Sequence, residues 1–266
     1  MSVATGPGWE LRLGRYQDVL ADVECDVLIS DPPYSERTHS GHDSGAAAGM
    51  EVRGVDYLRR TNGKPSGGTG PRQSISYSAW SENDVNAFVD HWGPRTRGWF
   101  CVITDHVLAP MFAAAMALPE NGGRYVFAPV PIVEPGSRVR LTGDGPSSWT
   151  CYLVVGRPKR DPFSRWGTLP GAYVGSGNGD RCVIGGKDSE ITRRIVRDYT
   201  RPNDLVCDPC AGGGTTLLAA VMEGRRAIGA ECDPKHFEIA RKRLESAVVT
   251  PPLFTDVPMA QEGLDL

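Results

Sequence analysis

The sequence predicts an α/β fold in which a mostly parallel, doubly wound sheet carries helices on both faces. Short apolar runs of strand length alternate with amphipathic stretches of helical length along the chain. The apolar runs lack the polar alternation of a half-exposed strand, as expected for strands buried on both faces. Several of them end directly in polar or glycine-rich loops. A chain of 266 residues suits one such domain, spanning 1–266, with inserted loops.

The elements of the first part of the chain are predicted from local patterns. Asp26 opens a compact apolar run typical of a buried strand, and Ser81 is a typical N-cap for the helical stretch that follows it. The predicted elements are a strand running into a helix over 11–20, a strand over 26–30, a helix over 82–92, a strand over 99–104, a helix over 107–118, and strands over 124–133 and 149–156.

The last third of the chain is the most regular. Its predicted elements are a helix over 190–200, a strand over 204–207, a helix over 217–223, a strand over 227–230 and a helix over 234–248. The tail from 250 is expected to be irregular, and the chain shows no internal repeat. This strict alternation of strand and helix is the basis for the doubly wound, parallel sheet.

Two segments interrupt the regular pattern. Residues 35–79 are rich in Gly, Ser and Thr and carry several basic residues. A loop this long inside a domain is usually functional or disordered, so we expect a mobile insertion able to contact a nucleic acid. Residues 133–186 are rich in Gly and Pro and also carry several arginines, and they form the second candidate for a recognition region.

Composition bounds the compartment and the partners. The seven cysteines are an odd number, which argues against a secreted disulfide scaffold. The first ten residues show no signal peptide and no apolar stretch reaches membrane-spanning length, so we expect a cytoplasmic protein with no membrane partner. The formal net charge of −3 means that a nucleic-acid partner would require a local basic face.

Residues 211–216 form a glycine-rich loop, the glycine loop, between a predicted strand and a predicted helix. This arrangement is typical of nucleotide sites. Glu231 ends the next strand about 20 residues later, where a carboxylate can accept both ribose hydroxyls. The loop has neither the Lys of a P-loop nor a G-x-G-x-x-G pattern. Asp208 would repel a pyrophosphate but suits an ammonium or sulfonium group. These features favour S-adenosyl-L-methionine over NAD, with a glycine-rich turn that binds nothing as the alternative. The predicted cofactor residues here are Asp208, Pro209, Cys210, Ala211, Gly212, Gly214, Thr215, Thr216, Glu231 and Cys232.

Cys207 and Cys210 form a C-x-x-C pattern that could indicate a redox or metal site. No second pair follows at the spacing of a zinc site. We therefore expect Cys207 in the core, Cys210 beside the cofactor, and no metal.

The tetrapeptide Asp31-Pro32-Pro33-Tyr34 follows a buried strand. The prolines fix the backbone and remove two N–H donors, so the Asp31 carboxylate and the Pro32 carbonyl can both accept from one amino group. Holding both hydrogens of an exocyclic amine aims its lone pair at an electrophile. Tyr34 offers a ring to an extruded base, and such stacking is worth roughly 1–3 kcal/mol. A simple tight turn is the alternative for the tetrapeptide alone. Its place at a strand end, beside a glycine loop, favours amine methylation.

The tetrapeptide and the segment 208–216 together resemble the two signatures of the DNA amino-methyltransferases, the adenine-N6/cytosine-N4 family. The catalytic motif precedes the cofactor motif, which resembles the circularly permuted beta class. In the usual cofactor motif, D-P-F-x-G-S-G-T-T, Cys210 replaces the Phe and Gly213 replaces the Ser. The segment 224–231 and the predicted helix over 234–244 also fit this family.

The resemblance implies a Rossmann-like methyltransferase fold and a site-specific enzyme of the restriction–modification type, with double-stranded DNA as its partner and a homodimer as one possible assembly. It implies that Asp31, Pro32 and Tyr34 hold a flipped adenine, and Pro33 completes the predicted catalytic set. Asp31 is also predicted to contact the cofactor, and Asp208, Gly212, Gly214 and Thr215 are predicted to line its methionine end. Glu231 is assigned to the ribose by the same likeness. Lys187 resembles a family Lys near the cofactor, and 133–186 takes the place of a target-recognition region.

The sequence departs from the family pattern in two places. Gly14-Arg15 stands where the family has Gly-Asp, and Asp18 follows one helical turn later, so the acidic contact to the cofactor adenine is in question. The segment between Val133 and Lys187 is short for target recognition.

Four other functions are weighed against adenine-N6 methylation. Cytosine-N4 enzymes of the family more often carry Ser in place of Asp31. An enzyme acting on RNA or on a protein glutamine usually has an Asn-led tetrapeptide and the unpermuted order. A cytosine-C5 enzyme needs a Pro-Cys nucleophile on the catalytic loop, whereas Cys210, which follows Pro209, lies in the glycine loop. A catalytically inactive nucleic-acid-binding relative is disfavoured by the intact Asp31 and Glu231.

Overall fold

The computed structural model of the protein describes residues 2–40, 77–135, 149–159, 166–175 and 186–249. Most of the predicted insertion 35–79, most of the arginine-bearing parts of 133–186, and the predicted irregular tail lie outside these residues. Helices and strands are numbered in the order in which they occur in the described ranges.

The first part of the chain forms one edge and the centre of a sheet. Its elements are β1 (Val3–Gly6), β2 (Trp9–Leu13), α1 (Tyr16–Val19), β3 (Val27–Ser30), α2 (Glu82–Trp92), β4 (Phe100–Thr104), α3 (Ala109–Ala117) and a 3-10 turn (Pro119–Asn121).

The second part completes the sheet and returns to its centre. Its elements are β5 (Tyr125–Val126), β6 (Val130–Val133), β7 (Thr150–Arg157), β8 (Tyr173–Val174), α4 (Ser189–Tyr199), β9 (Leu205–Asp208), α5 (Thr215–Met222), β10 (Arg226–Glu231) and α6 (Pro234–Val249).

The strand order within the described residues is β1-β2-β10-β9-β3-β4-β7-β6-β8, with β5 paired to β7. The five central strands, from β2 to β4, run parallel to one another. The strands β1 and β7, which flank this centre, are antiparallel to their central neighbours. The predicted mostly parallel, doubly wound sheet is therefore confirmed, with antiparallel margins on both sides.

Side chains from alternate positions of the central strands feed two separate cores, one on each face of the sheet. In β3, Val27 and Ile29 face one core, whereas Leu28 faces the other. The first core is covered by α4, α5 and α6, and the second by α1, α2 and α3. Both cores are apolar because both faces of a parallel sheet are covered by helices.

Most predicted elements are confirmed to within two residues at their ends. The helix over 82–92 begins as expected, since Ser81 accepts from the Asp84 backbone N–H and Asp84 accepts from the Ser81 backbone N–H at 2.8 Å. The single strand predicted over 124–133 is wrong: the chain forms β5 and β6, separated by Phe127-Ala128-Pro129. The two strands pair with β7 in registers that differ by one residue, so the ladder is interrupted between them. The strands β1 and β8 were not predicted, and residues 36–40, placed in a loop, are helical.

The side chain of the buried Arg124 is hydrogen-bonded to the segment that connects α2 to β4. Its guanidinium donates to the carbonyl oxygens of Gly98 at 2.6 Å and Gly93 at 3.1 Å, and also to the carbonyl oxygen of Thr96. The same guanidinium lies 5.4 Å from the centre of the Phe100 ring. These contacts satisfy carbonyls beyond the carboxyl end of a helix that lack helical partners.

Among the described residues, no helix combines the length and the apolar character that crossing a bilayer requires.

Candidate active site

The candidate site lies where the winding of the sheet reverses. The adjacent parallel strands β3 and β9 are in register at Leu28 and Cys207. From β3 the chain continues to β4 on one side, and from β9 it continues to β10 on the other. A crevice opens beyond the carboxyl ends of strands at such a switch point, and ligands of α/β proteins bind there.

A cavity of about 870 Å³ occupies this crevice. Its volume is in the range of small-molecule sites. It is lined by the predicted site residues Asp31, Pro33, Lys187, Asp208, Pro209, Cys210, Ala211, Gly212, Thr215, Thr216, Glu231 and Cys232. The structure thus brings the tetrapeptide loop and the glycine loop to one cavity, although Ser30 and Asp208, hydrogen-bonded at the base of these loops, are 178 positions apart in the chain.

Three predicted site residues do not line this cavity. Pro32 and Tyr34, which belong to the tetrapeptide, are buried. Gly214 has a φ of 76°, and a Cβ there would lie 3.0 Å from the Cβ of Ala240 on α6. Gly214 therefore allows α6 to pack closely against the glycine loop.

The glycine loop and Glu231 hold each other in place. Glu231 accepts a hydrogen bond from the Gly212 N–H at 2.7 Å through one carboxylate oxygen, and from the Asp233 N–H at 2.7 Å through the other. Burial raises the pKa of Glu231, and these two backbone donors lower it in part. Gly212 has a φ of 52°, and nothing lies within 4 Å of the position of a Cβ there. The loop thus presents open backbone beside a fixed carboxylate.

Asp208 lies at the floor of the cavity and is 2% exposed. Its carboxylate accepts from the Ser30 hydroxyl at 2.8 Å and from the Cys210 N–H at 3.1 Å. Burial raises the pKa of Asp208 to about 7, with a smaller contribution from the charge of Asp31, despite the hydrogen bonds that lower it. A buried carboxyl group that titrates near neutral pH favours a cationic ligand group, because such a group would stabilise the ionised form.

Lys187 joins the two predicted sites. Its ammonium group donates to the Asp31 carboxylate at 2.7 Å and lies 4.7 Å from the centre of the Tyr34 ring. The Lys187 side chain is 6% exposed, and that of Asp31 is 23% exposed. The ion pair is therefore partly shielded from water, and the attraction between its charges is screened less than that of a pair on the surface.

Asp105 was not predicted, yet it organises the chain after the tetrapeptide. One oxygen of its carboxylate accepts from the Ser35 N–H at 3.0 Å, from the Ser35 hydroxyl at 2.5 Å and from the Thr38 hydroxyl at 2.5 Å. The other oxygen accepts from the N–H groups of Val107 and Leu108, each at 3.0 Å. Burial alone would raise the pKa of Asp105, but these hydrogen bonds outweigh burial and leave it below its usual value.

The N-terminal segment also forms a wall of the cavity, of which only the Gly14-Arg15 position was singled out from the sequence. Gly14, Arg15, Tyr16 and Gln17 line the cavity at the carboxyl end of β2, whereas Asp18 is not among its lining residues. The Gly14 N–H donates to the Glu231 carbonyl oxygen at 2.9 Å, which fixes this wall beside the predicted ribose residue. The position held by an acid in the resembled family is thus occupied by Arg15.

The two cysteines of the C-x-x-C pattern lie in different surroundings. Cys207 is fully buried in the core of the sheet, whereas Cys210 lines the cavity. Burial raises the pKa of both thiols well above the usual value. Within the described ranges, no group of three or more His, Cys, Asp or Glu side chains has the arrangement of a metal site.

Comparison with known proteins identifies the class of the carboxyl-terminal segment. Residues 185–242 match the N6/N4 methyltransferase family, described as DNA methylase. The segment contains Lys187, the glycine loop and Glu231, and the match confirms the resemblance over this part of the chain.

Individual relatives match over the same fraction of the chain. The type II methyltransferase M2.DpnII of Streptococcus pneumoniae is 40% identical over 60 residues, which are 23% of this chain and 22% of the relative. The DNA adenine methyltransferase YhdJ of Escherichia coli (strain K12) is 34% identical over 61 residues, covering 23% of this chain and 21% of the relative. The matched part thus spans about a fifth of the length of these relatives.

Solved structures extend the likeness to the whole fold. The structure of M1.HpyAVI in complex with S-adenosylmethionine aligns with a TM-score of 0.58 at 18% identity, over 89% of this chain and 98% of that chain. The cytosine-N4-specific PvuII DNA methyltransferase aligns with a TM-score of 0.54 at 14% identity, over 92% of each chain. The predicted methyltransferase fold is confirmed.

Proposed function

We propose that this chain is an S-adenosylmethionine-dependent DNA methyltransferase that transfers a methyl group to N6 of a flipped adenine. The observation that carries the proposal is the single cavity walled by both the Asp31 loop and the Asp208–Thr216 loop. One loop has the acceptors that an exocyclic amine needs, and the other has the features of a methionine-type nucleotide site. The family match over 185–242 supports the same activity.

The residues of the glycine loop fit the cofactor. Asp208 at the cavity floor would hold the ammonium of its amino-acid end, since the buried carboxyl gains most from a cationic partner. Glu231 is held by two backbone donors with further lone pairs left to accept ribose hydroxyls. The open backbone at Gly212 leaves room for the ligand to approach without a Cβ in the way.

The chemistry assigned to this chain is orientation and charge stabilisation. The bound cofactor supplies a methyl group activated by its sulfonium. Asp31, with the carbonyl of Pro32, accepts hydrogen bonds from the target amino group and stabilises the positive charge that grows on its nitrogen. The amine is neutral before transfer, so no strong base is needed, and its proton is lost during or after the transfer. The buried Tyr34 is proposed to supply the ring for the base, which requires local movement of the loop.

Adenine is proposed as the base because Asp31 leads the tetrapeptide, and the name of YhdJ, an adenine methyltransferase, agrees with this assignment. Cytosine N4 is the second candidate, favoured by the likeness in fold to the cytosine-N4-specific PvuII enzyme. The carboxylate can orient either amine, since both bear two hydrogens on a ring-conjugated nitrogen.

The order of the strands supports membership of the circularly permuted beta class. The strand β3, which leads to the tetrapeptide, precedes β9, which leads to the glycine loop, and the two are neighbours in the sheet. Assignment to this class is part of the proposal.

Double-stranded DNA is the proposed partner, and the segments 35–79 and 133–186 are proposed to contact it. In the described part of 133–186, β7 and β8 belong to the central sheet, so recognition would fall to the remaining residues of this segment. Hydrogen exchange with and without cognate DNA tests the assignment of 35–79. Equal exchange in both states would remove this segment from the DNA interface.

The reaction is tested by incubating the protein with methyl-tritiated cofactor and mixed-sequence DNA, followed by digestion and nucleoside analysis. We expect N6-methyladenine from the wild type and no transfer from Asp31→Ala, which should still bind S-adenosylhomocysteine. N4-methylcytosine as the product would change the base and keep the class. Transfer by Asp31→Ala at the wild-type rate would refute the mechanism.

A further inference from the structure

The Lys187 ammonium occupies the surroundings that the proposed function assigns to the target amine. It donates to the Asp31 carboxylate at 2.7 Å and lies 4.7 Å from the centre of the Tyr34 ring. A base bound between these two groups would present its own N–H donors to the same carboxylate and its own ring to the same tyrosine. The amine and the ammonium therefore compete for one place.

We infer that Lys187 keeps Asp31 closed to the target amine until the carboxylate of the cofactor draws the ammonium away, so that the cofactor must bind before the base. This inference rests on the proposed function and assigns Lys187 as a positioning residue that couples the two halves of the cavity.

The local structure allows the Lys187 side chain to move while its backbone stays fixed. The next residue, Asp188, is the N-cap of α4, and its side chain accepts from the Glu190 N–H at 2.8 Å. A lysine side chain has a flexible four-carbon stem that ends in a single compact charge. The ammonium can therefore change partner within the cavity without unfolding the start of α4.

The distribution of charge in the cavity favours Lys187 as the partner of the cofactor carboxylate. Among the described residues that line the cavity, the basic side chains are those of Arg15, Lys187 and His236. Arg15 follows Gly14, which is bonded to Glu231, and His236 lies close enough to lower the pKa of Glu231. These two belong to the ribose end. Lys187 belongs to the end that contains Asp31 and Asp208.

An exchange of partner has a thermodynamic consequence that needs no DNA to detect. In the wild type, a carboxylate ligand must take Lys187 from Asp31, and the lost charge-assisted hydrogen bond subtracts from its affinity. Replacing Asp31 by Asn weakens this bond and makes Lys187 more available to the ligand. Removing the carboxylate of a catalytic-loop residue should thus tighten cofactor binding.

The experiment measures the affinities of S-adenosylhomocysteine and 5′-methylthioadenosine by calorimetry. The second probe lacks the amino-acid end and hence the carboxylate, and neither probe has a sulfonium charge that Asp31 could attract. We expect Asp31→Asn to raise the affinity for S-adenosylhomocysteine by about 3- to 10-fold. We expect Lys187→Met to lower this affinity by about tenfold. Neither change should alter the affinity for 5′-methylthioadenosine.

The double variant isolates the pair. In the Lys187→Met background, Asp31→Asn should no longer tighten S-adenosylhomocysteine. Lys187→Arg, which keeps the charge, should restore both the affinity and the effect of Asp31→Asn. A purely structural role of Lys187 would shift both probes together, and that result would overturn the inference.

The remaining outcomes are also decisive. If both probes bind, and Asp31→Asn leaves the affinity for S-adenosylhomocysteine unchanged or lowers it, the exchange of partner by Lys187 is refuted while the proposed function stands. If neither probe binds to the wild type, the cofactor site itself is wrong, and both the proposed function and the exchange fall with it.

Discussion

If the buried carboxyl of Asp208 holds a cationic group of the cofactor, as proposed, cofactor affinity is expected to depend on pH. Its pKa of about 7 reflects burial at the cavity floor. A cationic ligand group binds the ionised form, so below pH 7 binding must first remove a proton from Asp208. Affinity should therefore rise with pH through 7 and level off above it.

The size of this effect follows from the ionised fraction. With a pKa of about 7, Asp208 is about 3% ionised at pH 5.5 and about 75% ionised at pH 7.5. If the bound form stays ionised over this range, affinity for S-adenosylhomocysteine should increase by about 25-fold between these pH values, or roughly 1.9 kcal/mol.

The assay is calorimetry at pH 5.5, 6.5 and 7.5 with wild type and Asp208→Asn. The variant cannot titrate, so its affinity should be lower at pH 7.5 and nearly independent of pH. Glu231 also has a raised pKa, and any slope that persists in the variant measures its share. A wild-type affinity that does not change with pH, or the same slope in both proteins, would refute the role assigned to Asp208.

Three further predictions concern single side chains. Glu231→Ala should weaken S-adenosylhomocysteine by roughly 1.5–3 kcal/mol in calorimetry, since it removes a charged acceptor, and unchanged affinity in a folded variant would exclude Glu231 from the site. Asp105→Asn should lower kcat/KM on DNA by roughly 10-fold or more while leaving cofactor affinity within about twofold, because the loop after Tyr34 loses hydrogen bonds to the Asp105 carboxylate. Asp90→Asn, at an exposed position, is the matched control, and equal effects of the two variants would contradict the assignment. Arg124→Met should lower the free energy of unfolding in urea by roughly 2–4 kcal/mol, because buried carbonyls lose their donor. Arg97→Met, at an exposed position, should lower it by roughly 1 kcal/mol or less. A similar loss in both variants would show that the Arg124 contacts add little.

The sequence identified the elements whose local signals are strong. The continuous apolar runs at 26–30 and 204–207 predicted strands buried on both faces, and Ser81 marked the start of α2. Each of these signals is contained within a few residues. The strand β1 was missed because its side chains are only partly buried and its pattern is weak.

The site was predictable where the chain itself carries a motif. Asp31 and Asp208 stand out because each ends a buried strand and begins a proline-containing loop. Asp105 also follows a buried strand, but no proline or glycine motif accompanies it. The role of Asp105 could not be read from sequence, because its partners Ser35 and Thr38 are about 70 positions away and meet it only through the pairing of β3 with β4.

The Lys187–Asp31 pair shows the limit of motif reasoning. A family likeness placed Lys187 near a cofactor, but no local pattern relates it to a carboxylate 156 positions earlier. Only the sheet, which sets β9 beside β3, brings the start of α4 close to the tetrapeptide.

The position of β10 has a consequence for synthesis on the ribosome. The strand β10 lies between β2 and β9, and it is the last strand of the described chain to be made. Until it emerges, the N-terminal hairpin of β1 and β2 has no neighbour in the sheet, and an isolated hairpin is at best marginally stable in water.

Contacts between such distant segments also form slowly, because a long chain must close before they stabilise anything. The cavity wall at Gly14 and the carboxylate of Glu231 therefore come together only after nearly the whole described chain has been translated. A nascent chain that ends before β10 lacks this carboxylate and the partner that fixes the Gly14 segment, so the cavity proposed to bind a nucleotide ligand is complete only after β10 has been made.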